Sequence, residues 1–168
     1  MSTGLHARPR AREVGARGEA AGGDDTAPFW RRKPLTRLTA EEWESLCDGC
    51  AKCCLHKLED MESKEIAYTN VACRLLDLGT CRCTNYGARE RLVSDCVVLT
   101  PSRIDALGWL PSTCAYRLVA AGKDLPEWHP LVSGDPESVH RAGISIRGRA
   151  IDERRAGDLE DHIVEWPE

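Results

Sequence analysis

A chain of 168 residues with a formal net charge of −4 is close to the usual size of one domain, and its acidic balance argues against a general nucleic-acid binder. No apolar run is long enough to span a membrane. One Phe and three Tyr beside five Trp leave a modest, mostly aliphatic core, and such a core calls for a staple of another kind.

In chain order, Met1–Pro28 is rich in Arg, Ala and Gly, sets four arginines against four acids and has almost no large apolar side chain, so residues 1–28 read as a disordered extension. The stretch lacks the apolar core or sustained amphipathic pattern of a targeting peptide; an over-extended start site is an alternative origin. Residues 29–168 are expected to form one cysteine-cluster, metal-binding domain. Thr39-Ala40-Glu41-Glu42 has capping-box spacing and predicts a short helix that delivers Cys47 from its C-terminal end. Strands are expected at Ile66–Thr69 and Val97–Leu99. Thr100-Pro101 reads as an N-cap followed by proline at the first helical position, opening a helix that stops at Gly108.

A further helix is expected over about Thr113–Ala121, ending at Gly122 and carrying Cys114 one turn before Leu118. Glu127–Pro136, with His129, Asp135 and His140 as acid/base candidates, reads more simply as a turn anchored by Trp and Pro. Ile144, Ile146 and Ala150 share the phase of a strand whose other face carries Ser145, Arg147 and Arg149; those arginines suit a solvated face better than an anion site. Leu159, Ile163 and Trp166 lie at helical spacing, with Pro167 as the stop. The sum is a small, loop-rich α+β domain organised around a cysteine cluster, with no internal repeat.

The chemistry lies in CDGCAKCC, which places Cys47, Cys50, Cys53 and Cys54 within eight residues, and in Cys73, Cys81, Cys83, Cys96 and Cys114 beyond it. Disulfides are a poor account: nine is odd, no apolar leader precedes the cluster, and adjacent Cys53 and Cys54 pair only through a strained ring. A bridge closing so short a loop contributes about 2 kcal/mol, whereas a structural zinc supplies roughly 10–16 kcal/mol. A metal on these nine thiols is therefore expected, in a reducing, intracellular (cytoplasmic) compartment.

The identity of the metal is open. A cubane-type run C-x2-C-x2-C-x3-C needs its fourth cysteine where Lys57 stands. Zinc accepts the Cys47/Cys50 pair with partners among Cys73, Cys81, Cys83 and Cys96. Eight thiolates could hold two zinc ions, or four could hold an iron–sulfur cluster while the others serve zinc or stay free. Lys52, Lys57, Arg74 and Arg82 sit beside the cysteines, where cations offset thiolate charge, although ordinary surface basicity explains them equally well. His56 could complete a mixed Cys/His site, but a histidine beside a turn more often faces solvent.

From Phe29 to Pro167 the chain resembles the YcgN-type cysteine-cluster proteins, a bacterial branch of the CxxCxxCC group of zinc- or iron-chelating domains. FWRRKPL, EWESLCDGC, KCCLHKLED, TNVACRLLD, TCRCTNY, DCVVLTP, WLPSTCAYRL, WHPLVSGDP, AGISIRGR and DHIVEWP carry the likeness. The resemblance implies that the wider group's motif falls on Cys47, Cys50, Cys53, Cys54, Cys73, Cys81 and Cys96, with Tyr86 and Arg89 at its tyrosine and arginine places. Cys83 and Cys114 are then additions of the branch. Two departures are Ala51, where the group commonly has glycine, and Ser94, where it often has proline. If the loop needs positive φ at Ala51, alanine costs about 1 kcal/mol.

The expected function is zinc or iron binding, as a structural core or metal-handling site, with a metal ion as partner, no membrane, no nucleic acid, and enzyme status open. The rivals are an iron–sulfur redox enzyme or electron carrier, and a zinc-ribbon-like protein-interaction module. Cys114, on its helix away from the dense motif, is expected to matter least as a ligand.

Overall fold

The computed structural model describes residues 26–168, so the extension expected over 1–28 lies almost wholly outside the described residues. Short helices open the domain: α1 (Phe29–Arg32), then α2 (Ala40–Ser45), which begins with the expected capping box. Thr39 accepts from the Glu42 amide at 3.2 Å while the Glu42 carboxylate accepts from the Thr39 amide at 2.8 Å, satisfying two donors that a helix start leaves bare.

After the cysteine loop, β1 (Leu55–Glu59) and β2 (Ile66–Ala72) form an antiparallel hairpin with Lys57 opposite Tyr68 and an irregularity between Leu55 and Lys57. Its turn is built by Asp60, whose carboxylate accepts from the Glu62 and Ser63 amides at 2.9 and 2.7 Å. A second, two-stranded sheet pairs β3 (Leu76–Asp77) with β4 (Arg82–Cys83), putting Leu76 opposite Cys83. Asp77 closes that turn through the Gly79 and Thr80 amides.

The remaining elements are α3 (Arg89–Leu92), α4 (Ala115–Ala120), α5 (Pro130–Ser133), α6 (Ser138–Arg141) and β5 (Ile151–Asp152), the last pairing in parallel with β2 at Val71. Among the described residues no helix exceeds six residues, too short to stand without tertiary support. None is long and apolar enough to cross a membrane.

Three apolar clusters make the core, and the segment Leu46–Leu55 enters all of them. Leu46 packs with Ile104, Leu107, Leu110, Ala115, Tyr116 and Leu125; Ala51 and Leu55 pack with Ala72, Leu76, Cys81 and Ile146; Cys50 packs with Val139 and Ile144. Full burial of one such aliphatic side chain is worth about 1.5–3 kcal/mol, so the cysteine loop is the junction of the core rather than a decoration upon it.

The α+β class holds, and several local expectations do not. Val97–Leu99 is irregular, with no strand partner, and the helix from Thr100 shrinks to a 3-10 turn at Ile104–Ala106. Ile144–Ala150 is a turn-rich loop, not a strand, in which Ile144, Ser145 and Ile146 are all buried, so the apparent alternation does not separate two faces. The tail is a 3-10 turn at Leu159–His162 followed by extended chain. Ile163 there bridges Thr69, the Val164 amide donates to the Tyr68 carbonyl at 2.9 Å, and Trp166 Nε1 donates to the Thr69 carbonyl at 3.1 Å. Backbone pairing along β2 outweighed a helical pattern only eight residues long. The helix expected at Thr113–Ala121 is present over Ala115–Ala120, with Cys114 at its N-cap and Gly122 at φ +66° after it.

Candidate metal centre

α2 ends at Ser45 and passes the chain to Leu46, fully buried, whose carbonyl accepts from His129 Nε2 at 3.1 Å. Asp48 then folds the loop by accepting the Cys50 amide at 2.9 Å through Oδ1. Gly49 has φ +79°, a backbone that favours glycine, and a Cβ there would lie 3.2 Å from Arg82 Nη2, so the guanidinium packs closely over the bare Cα. Ala51 takes the left-handed conformation, φ +60°, and starts the 3-10 turn Lys52–Cys54. The loop is pinned at its ends: the Ile146 amide donates to the Cys50 carbonyl at 3.0 Å, and the Cys73 amide to the Cys54 carbonyl at 2.9 Å. Among the described non-glycine residues, only Ala51, Lys64 and Cys81 have positive φ, and two of the three lie in cysteine-bearing turns.

Seven of the nine cysteines, Cys47, Cys50, Cys53, Cys54, Cys81, Cys83 and Cys114, line one cavity of about 150 Å³. They come from the loop after α2, the β3–β4 turn and the start of α4, which are far apart in sequence. Leu46, Leu99, Leu110, Ala115 and Tyr116 form its apolar wall; Asp48, Arg82 and Tyr86 are its polar members. Cys47 and Cys53 keep some exposed residue surface although the Cys47 thiol itself is desolvated in the cavity, while Cys50 and Cys81 are buried throughout. All nine cysteines are free thiols. Cys73 and Cys96 lie outside this lining; burial raises both, each also feels the charge of Cys83, and the hydrogen bond from the Cys73 amide to the Cys54 carbonyl ties this second neighbourhood to the first.

The thiols differ sharply in acidity. Burial pushes Cys47 up to about 12, Cys114 up to about 11 and Cys50 well above an ordinary thiol. Cys53 and Cys54 have Sγ atoms 3.9 Å apart; the hydrogen bond between them lowers Cys53 and raises Cys54, so of this pair Cys53 gives up its proton more readily. Buried thiolates in an apolar wall demand a cation, and a bound metal supplies it while displacing the protons.

Among the described residues no three His, Cys, Asp or Glu side chains already converge at metal-holding spacing, so coordination needs side-chain rotation within the cavity. The donor chemistry fits a thiolate-binding metal, and one further observation agrees: Asp48, 6% exposed, leaves Oδ2 buried without a partner on the cavity lining. A bare carboxylate oxygen beside desolvated thiols is costly unless a cation meets it.

The other sequence candidates have separate employment. His56 Nε2 lies 2.5 Å from Glu153 Oε2, and Glu153 also takes Arg74 at 3.1 Å, so His56 is a hydrogen-bond partner of Glu153 and not among the residues that line the cavity. The Lys57 ammonium donates to the carbonyls of Lys52, Cys53 and Leu55 at 3.2, 3.3 and 2.6 Å. Lys52, 1% exposed, donates to the Pro167 carbonyl. His129 is fully buried with Nδ1 accepting from the Leu131 amide, and His140 Nδ1 meets Ser145 Oγ at 2.7 Å, so these imidazoles serve loop structure. Arg141 and Arg147 pair with Asp135 and Glu137, and Arg149 donates to the Gly143 and Ser145 carbonyls.

Tyr86 donates to Glu44 at 2.9 Å, and the Arg89 guanidinium stacks 3.7 Å from the ring centre of Tyr86, which places both motif residues at one side of the cavity. Cys114, expected to matter less as a ligand, is at the N-cap of α4 and lines the cavity with the loop cysteines. Sequence reasoning missed Asp48; the signal was there in Cys-Asp-Gly-Cys, where Asp before Gly builds a side-chain-to-backbone turn.

Thiols gathered from three stretches of the chain around one apolar cavity define a cysteine-cluster domain, and comparison with known proteins falls on the same stretches. The family model CxxCxxCC, described as "putative zinc- or iron-chelating domain", matches residues 46–115. A UPF0260 protein of Granulibacter bethesdensis is 66% identical over 143 residues, covering 85% of this chain and 86% of the relative. Those of Gluconacetobacter diazotrophicus and Rhizobium meliloti are 60% and 57% identical, over 85% and 83% of this chain and 89% and 92% of theirs. The chain belongs to the UPF0260 family. No solved structure gives a significant match.

Proposed function

We propose that this chain binds zinc, with iron as the competing metal, and that the metal is the structural core of the domain spanning residues 29–168. The observation that carries the reading is the cavity on which seven cysteines from three separate loops meet. A domain with helices of at most six residues and three small apolar clusters gains much from a centre worth roughly 10–16 kcal/mol. Bound metal would supply charge neutralisation and a rigid crosslink between the loop after α2, the β3–β4 turn and α4. Cys47, Cys50 and Cys53 are the primary ligands in this reading, with Cys54, Cys81, Cys83 and Cys114 within reach and Cys73 and Cys96 beside Cys83. Free thiols kept as ligands suit a reducing, cytoplasmic compartment.

Zinc is favoured over a cubane cluster because the position of the fourth ferredoxin ligand is Lys57, whose ammonium is committed to three carbonyls. Anaerobic purification of the full chain with elemental and acid-labile sulfide analysis tests the assignment. Stoichiometric zinc without sulfide supports it. Iron with sulfide and a bleachable visible band replaces it with an iron–sulfur redox protein, and metal-free protein with unchanged folding removes it.

A further inference from the structure

We infer that Asp48 is an oxygen ligand of the centre, so that the site is a mixed sulfur–oxygen site rather than an all-thiolate one; the inference rests on the metal-binding reading above. Its two carboxylate oxygens have different employment. Oδ1 accepts the Cys50 amide at 2.9 Å and sets the loop, while Oδ2 is buried and has no hydrogen-bond partner. The residue is 6% exposed and lines the cysteine cavity. A buried carboxylate oxygen needs a donor or a cation to repay its lost hydration.

The available partners are few. No ion pair joins Asp48 to a cation among the described residues, and the cationic side chain on the cavity lining, Arg82, packs over Gly49. The Lys52 and Lys57 ammonium groups are spent on backbone carbonyls. The charge of the carboxylate is felt at Lys52, His129 and His140, each of which hydrogen-bonds elsewhere, and at the thiols of Cys47, Cys50, Cys53 and Cys114, which come from two elements of the chain. Three thiolates and one carboxylate oxygen make an ordinary tetrahedral zinc shell, with Zn–O of about 2.0–2.2 Å beside Zn–S of about 2.3 Å. The hard oxygen donor also biases the site toward zinc or ferrous iron over cuprous copper, which prefers sulfur alone.

The test uses full-length protein loaded with Zn2+, its X-ray absorption fine structure, and competitive chelator titration of wild type, Asp48→Asn and Asp48→Ala. Asp48→Asn keeps an acceptor for the Cys50 amide and so preserves the loop, but puts an amide NH2 where Oδ2 stood. The expected result is an oxygen scatterer in the wild-type first shell and at least ten-fold weaker Zn2+ binding in Asp48→Asn, with native circular dichroism. A sulfur-only shell in wild type, or Asp48→Asn affinity within two-fold of wild type, overturns the inference and leaves the metal-binding reading standing. Weakening in Asp48→Ala alone also overturns it, because that pattern belongs to the loop hydrogen bond. Wild type that takes up no Zn2+ removes both.

Discussion

The Lys57 ammonium lies 4.7 Å from the centre of the Trp109 ring and 5.0 Å from that of Tyr68, caged between two aromatic faces and the carbonyls of the cysteine turn. Burial pulls its pKa down to about 8, so near neutral pH it still carries its charge. It therefore does the work of a C-terminal cap for the Lys52–Cys54 turn, fastening that turn to β2. Replacing Lys57 by Met keeps much of the volume and removes three charge-assisted bonds, each ordinarily worth about 1.5–3 kcal/mol but partly offset by the relief of burying a cation. The expected net loss is about 2 kcal/mol of stability in a urea melt of metal-loaded protein. A variant as stable as wild type would make the cage incidental.

Ala51 sits at φ +60° with its methyl in the core against Leu55 and Ile146. Left-handed backbone costs alanine about 1–2 kcal/mol. Glycine removes that strain but gives up a buried methyl, worth about 0.8 kcal/mol, and adds freedom to the unfolded chain. These terms nearly cancel, so Ala51→Gly should melt within about 1 kcal/mol of wild type. Ala51→Val adds β-branching in a conformation hostile to it and should lose more than about 2 kcal/mol. Equal destabilisation by both would mean that the methyl contact, not backbone strain, governs this position.

What was legible in the sequence was chemistry tied to local signals. The capping box at Thr39–Glu42, the Cys47 hand-off from α2 and the glycine stop after α4 all depend on contacts within a few residues, and all are present. The possible strain at Ala51 was visible because one residue type there meets one backbone requirement. The tail was misread because its helical spacing competes with the open side of β2, a partner some 95 residues earlier that no local pattern reveals. The nearness of Cys114 to the cysteine loop was hidden for the same reason, since no local pattern links residues so far apart in sequence. The turn made by Asp48 is legible in Cys-Asp-Gly-Cys, but its unpartnered oxygen is not, since only burial in the fold reveals it.

The cavity divides the thiols and so ranks them. Cys50, 8% exposed and in contact with Val139 and Ile144, is central; Cys47→Ser and Cys50→Ser should each lower metal content several-fold, because a tetrahedral site loses a quarter of its ligands. Cys114→Ser should lose less, as Cys114 stands at the N-cap of α4, on a separate element from the dense Cys47–Cys54 loop. Cys73 and Cys96 stand outside the lining, so the double variant Cys73→Ser, Cys96→Ser should keep at least one equivalent of metal. Elemental analysis of the purified variants decides the order. Complete loss in the double variant would show that the two neighbourhoods share one centre.

His129 gives the fold an acid limit independent of the metal. Leu131 donates its amide to Nδ1 at 3.1 Å, so the proton sits on Nε2, which donates to the Leu46 carbonyl just ahead of Cys47. Burial holds the imidazole below its ordinary value near 6.5, and protonating Nδ1 would set its hydrogen against the Leu131 N–H. The unfolded chain therefore binds this proton more readily than the folded one. Above about pH 6.5 both states are neutral at this site and the full stability is present; as pH falls toward the lower folded value, stability drops by up to about 1.4 kcal/mol per pH unit. Denaturant melts of wild type and His129→Gln between pH 8 and about pH 5 check this. The variant should start less stable and fall less steeply, and the difference between the two profiles separates His129 from proton competition at the thiolates. Parallel profiles would show that the fold does not depend on a neutral imidazole here.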